Sequence, residues 1–371
     1  MKIPLFKIYS DEKDIAAVNK VIRRGTFWAI GPEIEEFESK VKKYVKVKYA
    51  LAFNSGTSAL HTLLVAHNIK GGEVIVPSFT FISTVNSIVL AGGKPIFAET
   101  EEDTCGLDIK DVEKKITKKT KAILALHYGG FISRDIIKLK SLAKKHNILL
   151  IEDAAESFGS KIGNKMTGSF GDSAIFSMCQ NKIFSTGEGG LLVTNSRDIY
   201  EKAKLIRSHG RVDDKTNFFE ATRDPPYIQI GYNMRFPTIL AALAISQLNK
   251  VDMLIKKRRA LAKYFTKELS KIKEISFLKE IKNHYQVYQM YTIKLPTEQR
   301  RNSLKEYLIE KGIMCKVYFE PVHLKEVYKK NKCKLPNTEQ LSKVILNLPI
   351  YVSMNTKEKE YLVNTIKRFF K

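Results

Sequence analysis

The sequence is poor in the residues that anchor several protein classes. It holds only four cysteines, Cys105, Cys179, Cys315 and Cys333, and no two of them form a Cys-x-x-Cys pair. That argues against a disulfide framework and against a structural zinc site. None of the seven histidines stands in a His-Glu-x-x-His arrangement, so no metal is expected. No apolar run approaches the length that spans a bilayer. The opening Met-Lys-Ile-Pro-Leu-Phe-Lys-Ile-Tyr-Ser-Asp-Glu lacks the apolar stretch and small-residue cleavage pattern of a secretory signal. The expectation is a cytoplasmic protein with no membrane partner. Internal repeats and low-complexity tracts are also absent.

Acidic residues are in short supply. Sixty-three Lys and Arg face 39 Asp and Glu, a formal net charge of +24. Such an excess suits anionic partners: nucleic acid, a membrane surface or a phosphorylated substrate. The basic residues are nevertheless spread along the chain and interleaved with acids, as in 34–48, IEEFESKVKKYVKVK. There is no single-sign arm of the kind that nucleic-acid tails carry. A general richness in lysine accounts for this distribution better than a nucleic-acid partner does.

What is present is size and alternation. The 371 residues are 44% hydrophobic and 27% charged, an ordinary globular composition with material for two domains. Strand-like apolar runs at Tyr49–Phe53, Glu73–Val76, Pro95–Ala98, Ala122–His127, Ile148–Ile151, Ala174–Met178 and Gly190–Thr194 alternate with helical patterns, among them 80–91 and 135–146. This order predicts an α/β fold with a mainly parallel central sheet flanked by helices. Functional residues of such sheets gather just beyond the strand ends. The texture changes near residue 237. A long helical stretch over 237–270 precedes a strand at Tyr288–Leu295, a helix near 302–311, a strand at Cys315–Phe319 and a helix over 357–370. The reading is a large domain over 1–236, then a connecting helix and a smaller C-terminal α+β domain over 237–371.

Three places could carry chemistry. Ser55-Gly56-Thr57-Ser58 lies between a strand and a helix. Free amides and the partial positive charge of a helix start make a phosphate seat there, although Ser and Thr also serve as plain N-caps. Asp153 ends an apolar strand, where a partly desolvated carboxylate needs a partner. A protonated ring nitrogen would serve, and so would the amides of a following helix. Lys182 stands four residues beyond a strand and five before Gly187-Glu188-Gly189-Gly190. In an apolar pocket a lysine loses solvation, and its neutral amine can form a Schiff base with a carbonyl; elsewhere it is one more solvated charge. Together the three are the grips that pyridoxal 5'-phosphate requires: one for the phosphate, one for the pyridine nitrogen, one for the aldehyde.

The chain resembles the DegT/DnrJ/EryC1/StrS sugar aminotransferases, a family of fold-type-I pyridoxal phosphate enzymes, over nearly its whole length. The motifs are Gly31-Pro32-Glu33-Ile34-Glu35-Glu36-Phe37-Glu38, Asn54 to His61, Val76-Pro77-Ser78-Phe79-Thr80-Phe81, Glu152-Asp153-Ala154-Ala155-Glu156, Phe176 to Gly190 and Gly231-Tyr232-Asn233-Met234-Arg235. The resemblance implies that Lys182 carries the cofactor and shuttles protons. It implies that Asp153 pairs with the pyridine nitrogen and that Phe81 stacks on the ring. Gly56, Thr57, Ser58 and Ser177 would hold the phosphate with Asn233 of a second chain, hence a homodimer with shared sites. Many members have Gln or His where this chain has Glu156. Glutamate there, with Asn181 and the Phe319-Glu320-Pro321-Val322-His323 loop, is similar to the perosamine-type branch and puts Asn181 and His323 near the sugar. Some relatives replace the lysine with histidine and act as dehydratases, a reading that Lys182 disfavours. The implied reaction moves an amine from L-glutamate to a nucleotide-linked keto-sugar at C4. A C3 ketone, or an aminoshikimate or cyclitol ring, is the alternative within the family. A non-catalytic basic nucleic-acid-binding protein is the alternative outside it. His127 and His209 are left out of the catalytic set.

Overall fold

A computed structural model describes residues 1–212, 222–331 and 333–371. Nine strands precede residue 195: β1 Tyr49–Phe53, β2 Glu73–Pro77, β3 Lys94–Ala98, β4 Thr120–Leu126, β5 Leu149–Asp153, β6 Lys161–Ile162, β7 Lys165–Met166, β8 Ser173–Ser177 and β9 Gly190–Thr194. Seven of them form one sheet in the order β1-β9-β8-β5-β4-β2-β3. The pairs β8–β5, β5–β4, β4–β2 and β2–β3 are parallel, and only β9 runs against the rest. The expected mainly parallel sheet is therefore present. Its strands are apolar on both faces because helices cover both. Leu51, Val74, Leu124, Ile151 and Ile175 pack on one side with Leu60, Leu63 and Leu64 of the helix Gly56–Ala66. The alternate residues Ala50, Ala52, Ala174 and Phe176, and Ile75, Ile123 and Leu150 further along, pack on the other. Pro95 sits in β3, an edge strand, where its missing N–H costs no ladder bond.

The seven strands of this sheet thus lie where the apolar periodicity puts them. The C-terminal part departs from it. The expected helix over 237–270 is two helices, Thr238–Leu248 and Val251–Leu269, bent by 56°. The break is pinned from outside: Lys250 Nζ meets Asp11 and Asp14 at 2.8 and 2.7 Å, and Gln247 Nε2 donates to Asp14 Oδ2 at 2.8 Å. Periodicity within one segment carries no trace of such a contact. The strand near 288–295 is shorter, Tyr291–Lys294, and it pairs with Ile345–Leu348. Cys315–Phe319 is not a strand, since Lys316 makes only an isolated bridge to Asn347. The two later helices run Glu298–Glu310, capped by Thr297, and Thr356–Phe369, capped by Asn355. A separate apolar cluster joins Ile3 to Phe265, Tyr291, Leu304, Leu346 and Leu362. Among the described residues no single helix is long and apolar enough to cross a membrane.

Candidate active site

The parallel strands β1, β2, β5 and β8 end on the same side of the sheet. A cleft of about 400 Å³ lies there, lined by Gly56, Thr57, Phe81, Asp153, Glu156, Ser177, Asn181 and Lys182 among others. Eight of the residues singled out from the sequence therefore share one wall. They are scattered between Gly56 and Lys182 in the chain, and the strand order brings them together.

The phosphate-like end is built by the turn after β1. Ser55 caps the helix Gly56–Ala66, its Oγ accepting the Ser58 amide at 3.0 Å. Among the described residues the amides of Gly56 and Thr57 have no acceptor. Glycine is required at two places here. A Cβ on Gly56 would stand 3.1 Å from that of Ser177, and one on Gly190 would stand 2.2 Å from the Ser55 carbonyl oxygen. Ser58 is turned into the cap, with its hydroxyl 2.9 Å from Ser55 Oγ, and does not line the cleft.

Asp153 lines the same cleft. It is buried, with Oδ2 accepting the Thr84 hydroxyl at 2.8 Å and Oδ1 the Ala155 amide at 3.2 Å. Burial pushes its carboxyl above the ordinary range, against the pull of those bonds. Glu156 is 5% exposed. Its Oε2 accepts the Gly129 amide at 2.8 Å, and its Oε1 lies 3.5 Å from Lys182 Nζ. Burial again pushes this carboxyl up, with Lys182 as the largest opposing influence. Lys182, 13% exposed at its side chain, thus projects into a partly dry space beside two carboxyls. Its turn is held by the Lys182 amide on the Cys179 carbonyl (2.9 Å) and by Gln289 Nε2 on the Asn181 carbonyl (2.6 Å). Phe81 is 58% exposed and flanks the cleft mouth, its ring 6.2 Å from that of Phe319.

Asn233 is exposed and lies away from this cleft, bridged to Ser208. His323 is buried outside the cleft wall. Its Nδ1 meets Ser78 Oγ at 2.6 Å and its Nε2 meets Glu339 at 3.2 Å. His127 is also enclosed. The Ser133 amide donates to its Nδ1 (3.1 Å), which leaves the ring proton on Nε2 to meet Glu152 at 3.0 Å. Sequence reasoning passed over Phe6, Thr84, Lys316 and Tyr318, which also line the cleft. Phe6 and Lys316 carry no local signal. Thr84 carries one, a hydroxyl one helical turn beyond Thr80.

The geometry fits pyridoxal phosphate. Two unpaired amides, a close-approach glycine and Ser177 suit a phosphate; a buried carboxyl suits a ring cation; a lysine lines the same cleft.

A family model for the DegT/DnrJ/EryC1/StrS aminotransferases matches residues 9–367. The chain is 34% identical over 369 residues to a GDP-perosamine synthase of Escherichia coli O157:H7, covering 99% of this chain and 98% of that one. It is 33% identical over 364 residues to a UDP-4-amino-4,6-dideoxy-N-acetyl-beta-L-altrosamine transaminase of Campylobacter jejuni, covering 96% and 94%. Among solved structures, Helicobacter pylori PseC, an aminotransferase involved in the biosynthesis of pseudoaminic acid, superposes with a TM-score of 0.92 at 28% identity, over 100% and 99% of the two chains. The chain belongs to the DegT/DnrJ/EryC1/StrS aminotransferase family and is a pyridoxal-phosphate-dependent sugar aminotransferase.

Proposed function

We propose that the protein moves an amino group from L-glutamate to C4 of a keto-sugar linked to a nucleoside diphosphate. The observation that carries this reading is the convergence of Lys182, Asp153 and Glu156 on one cleft at the strand ends. The relatives supply the substrate class. One is a GDP-perosamine synthase, and the name of the other puts the amine on C4 of a UDP-sugar.

Bound pyridoxal phosphate supplies an electron sink for the carbon beside the transferred nitrogen. The chain supplies the rest. Gly56, Thr57 and Ser177 hold the phosphate, joined by Asn233 of a second copy. Asp153 would keep a proton on the ring nitrogen, and that cation would in turn favour the ionised carboxyl against the cost of its burial. Phe81 would cover one face of the ring. Lys182 would hold the cofactor's aldehyde, and its Nζ would carry the proton in the transfer, as base and then acid. Glu156 Oε1, 3.5 Å away, steadies that amine. Lys316, exposed where it lines the cleft, would face the diphosphate.

The test has two parts. Holoenzyme mixed with L-glutamate alone should release one 2-oxoglutarate per site, and the aminated enzyme should then convert a 4-keto nucleotide-sugar. No 2-oxoglutarate, or turnover of 3-keto sugars only, overturns the reading. Separately, Lys182→Ala and Asn233→Ala chains, each inactive, should regain activity when refolded together, because hybrid dimers hold one intact site. No recovery refutes the shared site.

A further inference from the structure

Asp153 is a costly group. It sits on the buried end of β5, and the charged or titratable side chains that act on it are Lys182, His127 and Glu156. The two ring nitrogens of His127 are taken up by the Ser133 amide and by Glu152. Glu156 is an acid and raises the cost further. Lys182 helps, but it is engaged elsewhere in the cleft. Something else must favour a charged Asp153 before any ring cation arrives.

That something comes from the loop after β2 and the helix Ile82–Leu90 that follows it. Thr84 lies in the helix's first turn, and its Oγ1 donates to Asp153 Oδ2 at 2.8 Å. Thr80 Oγ1 lies 2.9 Å from Thr84 Oγ1. Both threonines are buried, and both line the cleft. The direction of the chain follows from proton counting. An ionised carboxylate only accepts, so Thr84 spends its one proton on Asp153, and the Thr80 hydroxyl must then donate to Thr84. Two hydroxyls in series polarise one another and strengthen the terminal bond. Of the influences that hold the Asp153 carboxyl down, the Thr84 bond is the largest.

We infer that Thr80 and Thr84 form a one-way hydroxyl relay that favours the ionised form of Asp153 and aims its carboxyl, so that the cleft is set for a cationic ring nitrogen before the cofactor enters. Thr84 is a positioning residue, acting through Asp153. The inference rests on the reading that Asp153 grips the ring nitrogen.

The experiment measures the affinity of apoenzyme for two ligands by absorbance titration: pyridoxal phosphate, and its analogue with carbon in place of the ring nitrogen. Wild type should prefer the natural cofactor. Thr84→Val keeps the volume and removes the donor. A hydrogen bond to a charged group is lost, so affinity for pyridoxal phosphate should fall about tenfold to a hundredfold. Affinity for the carbon analogue should stay within about threefold, since Asp153 has no cation to hold there. Thr84→Ser should restore the preference. Thr80→Val should lose part of it, and carries the same test should Thr84→Val fail to fold. Equal weakening of both ligands would mean that Thr84 acts through packing, and the relay would be wrong. No preference in wild type would place the failure in the Asp153 reading instead.

Discussion

Gly190 offers a sharp test of how the phosphate-like end is built. It opens β9, directly against the turn after β1. A Cβ there would lie 2.2 Å from the Ser55 carbonyl oxygen and 2.6 Å from the Gly56 nitrogen, about 1.2 Å inside the 3.4 Å at which ordinary contact begins. The obstruction is backbone, so no side-chain rotation relieves it. In Gly190→Ala the Ser55–Gly56 turn must move by about an ångström. Overpacking of this kind costs about 1–3 kcal/mol of stability. Displacement of the free amides should weaken pyridoxal phosphate binding by about tenfold to a hundredfold, the usual penalty for misplacement on that scale. Gly187→Ala is the control. Gly187 has φ +84°, and a methyl group there would meet nothing within 4 Å. Alanine therefore strains its own backbone, by about 1 kcal/mol, without pushing on the turn. The assay is titration of both apoenzymes with pyridoxal phosphate and with pyridoxal, which lacks the phosphate. Gly190→Ala should lose affinity for the first far more than for the second, and Gly187→Ala for neither. Undiminished phosphate-dependent binding in Gly190→Ala would refute the assignment of this turn.

Other outcomes follow from the same geometry. Lys182→Ala should lower turnover about a thousandfold or more, within the range for loss of a general acid–base, with partial rescue by added methylamine; no rescue would count against a proton-carrying role. Glu156 has a folded-state carboxyl raised above 4.5 by burial, so the unfolded chain releases that proton first and stability falls as pH climbs from 4.5 through the folded value. Glu156→Gln should flatten that slope and leave the apoenzyme more stable than wild type at neutral pH but not below pH 4.5, read from urea midpoints on both sides of the window. Lys316 holds its Nζ 4.7 Å from the Tyr318 ring centroid, at the rim of the cleft. Lys316→Ala should raise KM for the nucleotide-sugar about fivefold, with a smaller change in kcat and a shallower dependence on salt. An unchanged KM would remove Lys316 from substrate binding.

The legible parts of the site are those whose signal is local. Ser55-Gly56-Thr57 reads as a seat because a strand end, a glycine and a helix start are adjacent in the chain. Asp153 reads as unusual because four apolar residues lead into its strand end. Lys182 is legible only in company, since nothing in its own surroundings separates it from the other lysines. The side chains that stand off the cleft are held by contacts that their motifs do not announce, near or far. Ser58 belongs to the motif by adjacency, yet its hydroxyl is drawn into the cap by Ser55. His323 follows the aromatic loop that does reach the cleft, but Ser78 and Glu339 hold its ring elsewhere. The break at Asn249–Lys250 is invisible for the same reason, because Asp11 and Asp14, which pin it, lie 239 and 236 residues away.

By itself, the sequence determined the alternation of strands and helices, and so a mainly parallel sheet, because apolar periodicity and turn residues act over a few positions. It also determined which side chains stand at the strand ends. Only the tertiary structure decided that β5 lies between β4 and β8, with β1 brought beside β9 at the edge. That order is set by the packing of whole faces against helices, a sum over many distant contacts. It is what sets Asp153 against Thr84, Glu156 against Lys182 and Gly190 against Ser55, and so turns separate motifs into one cleft.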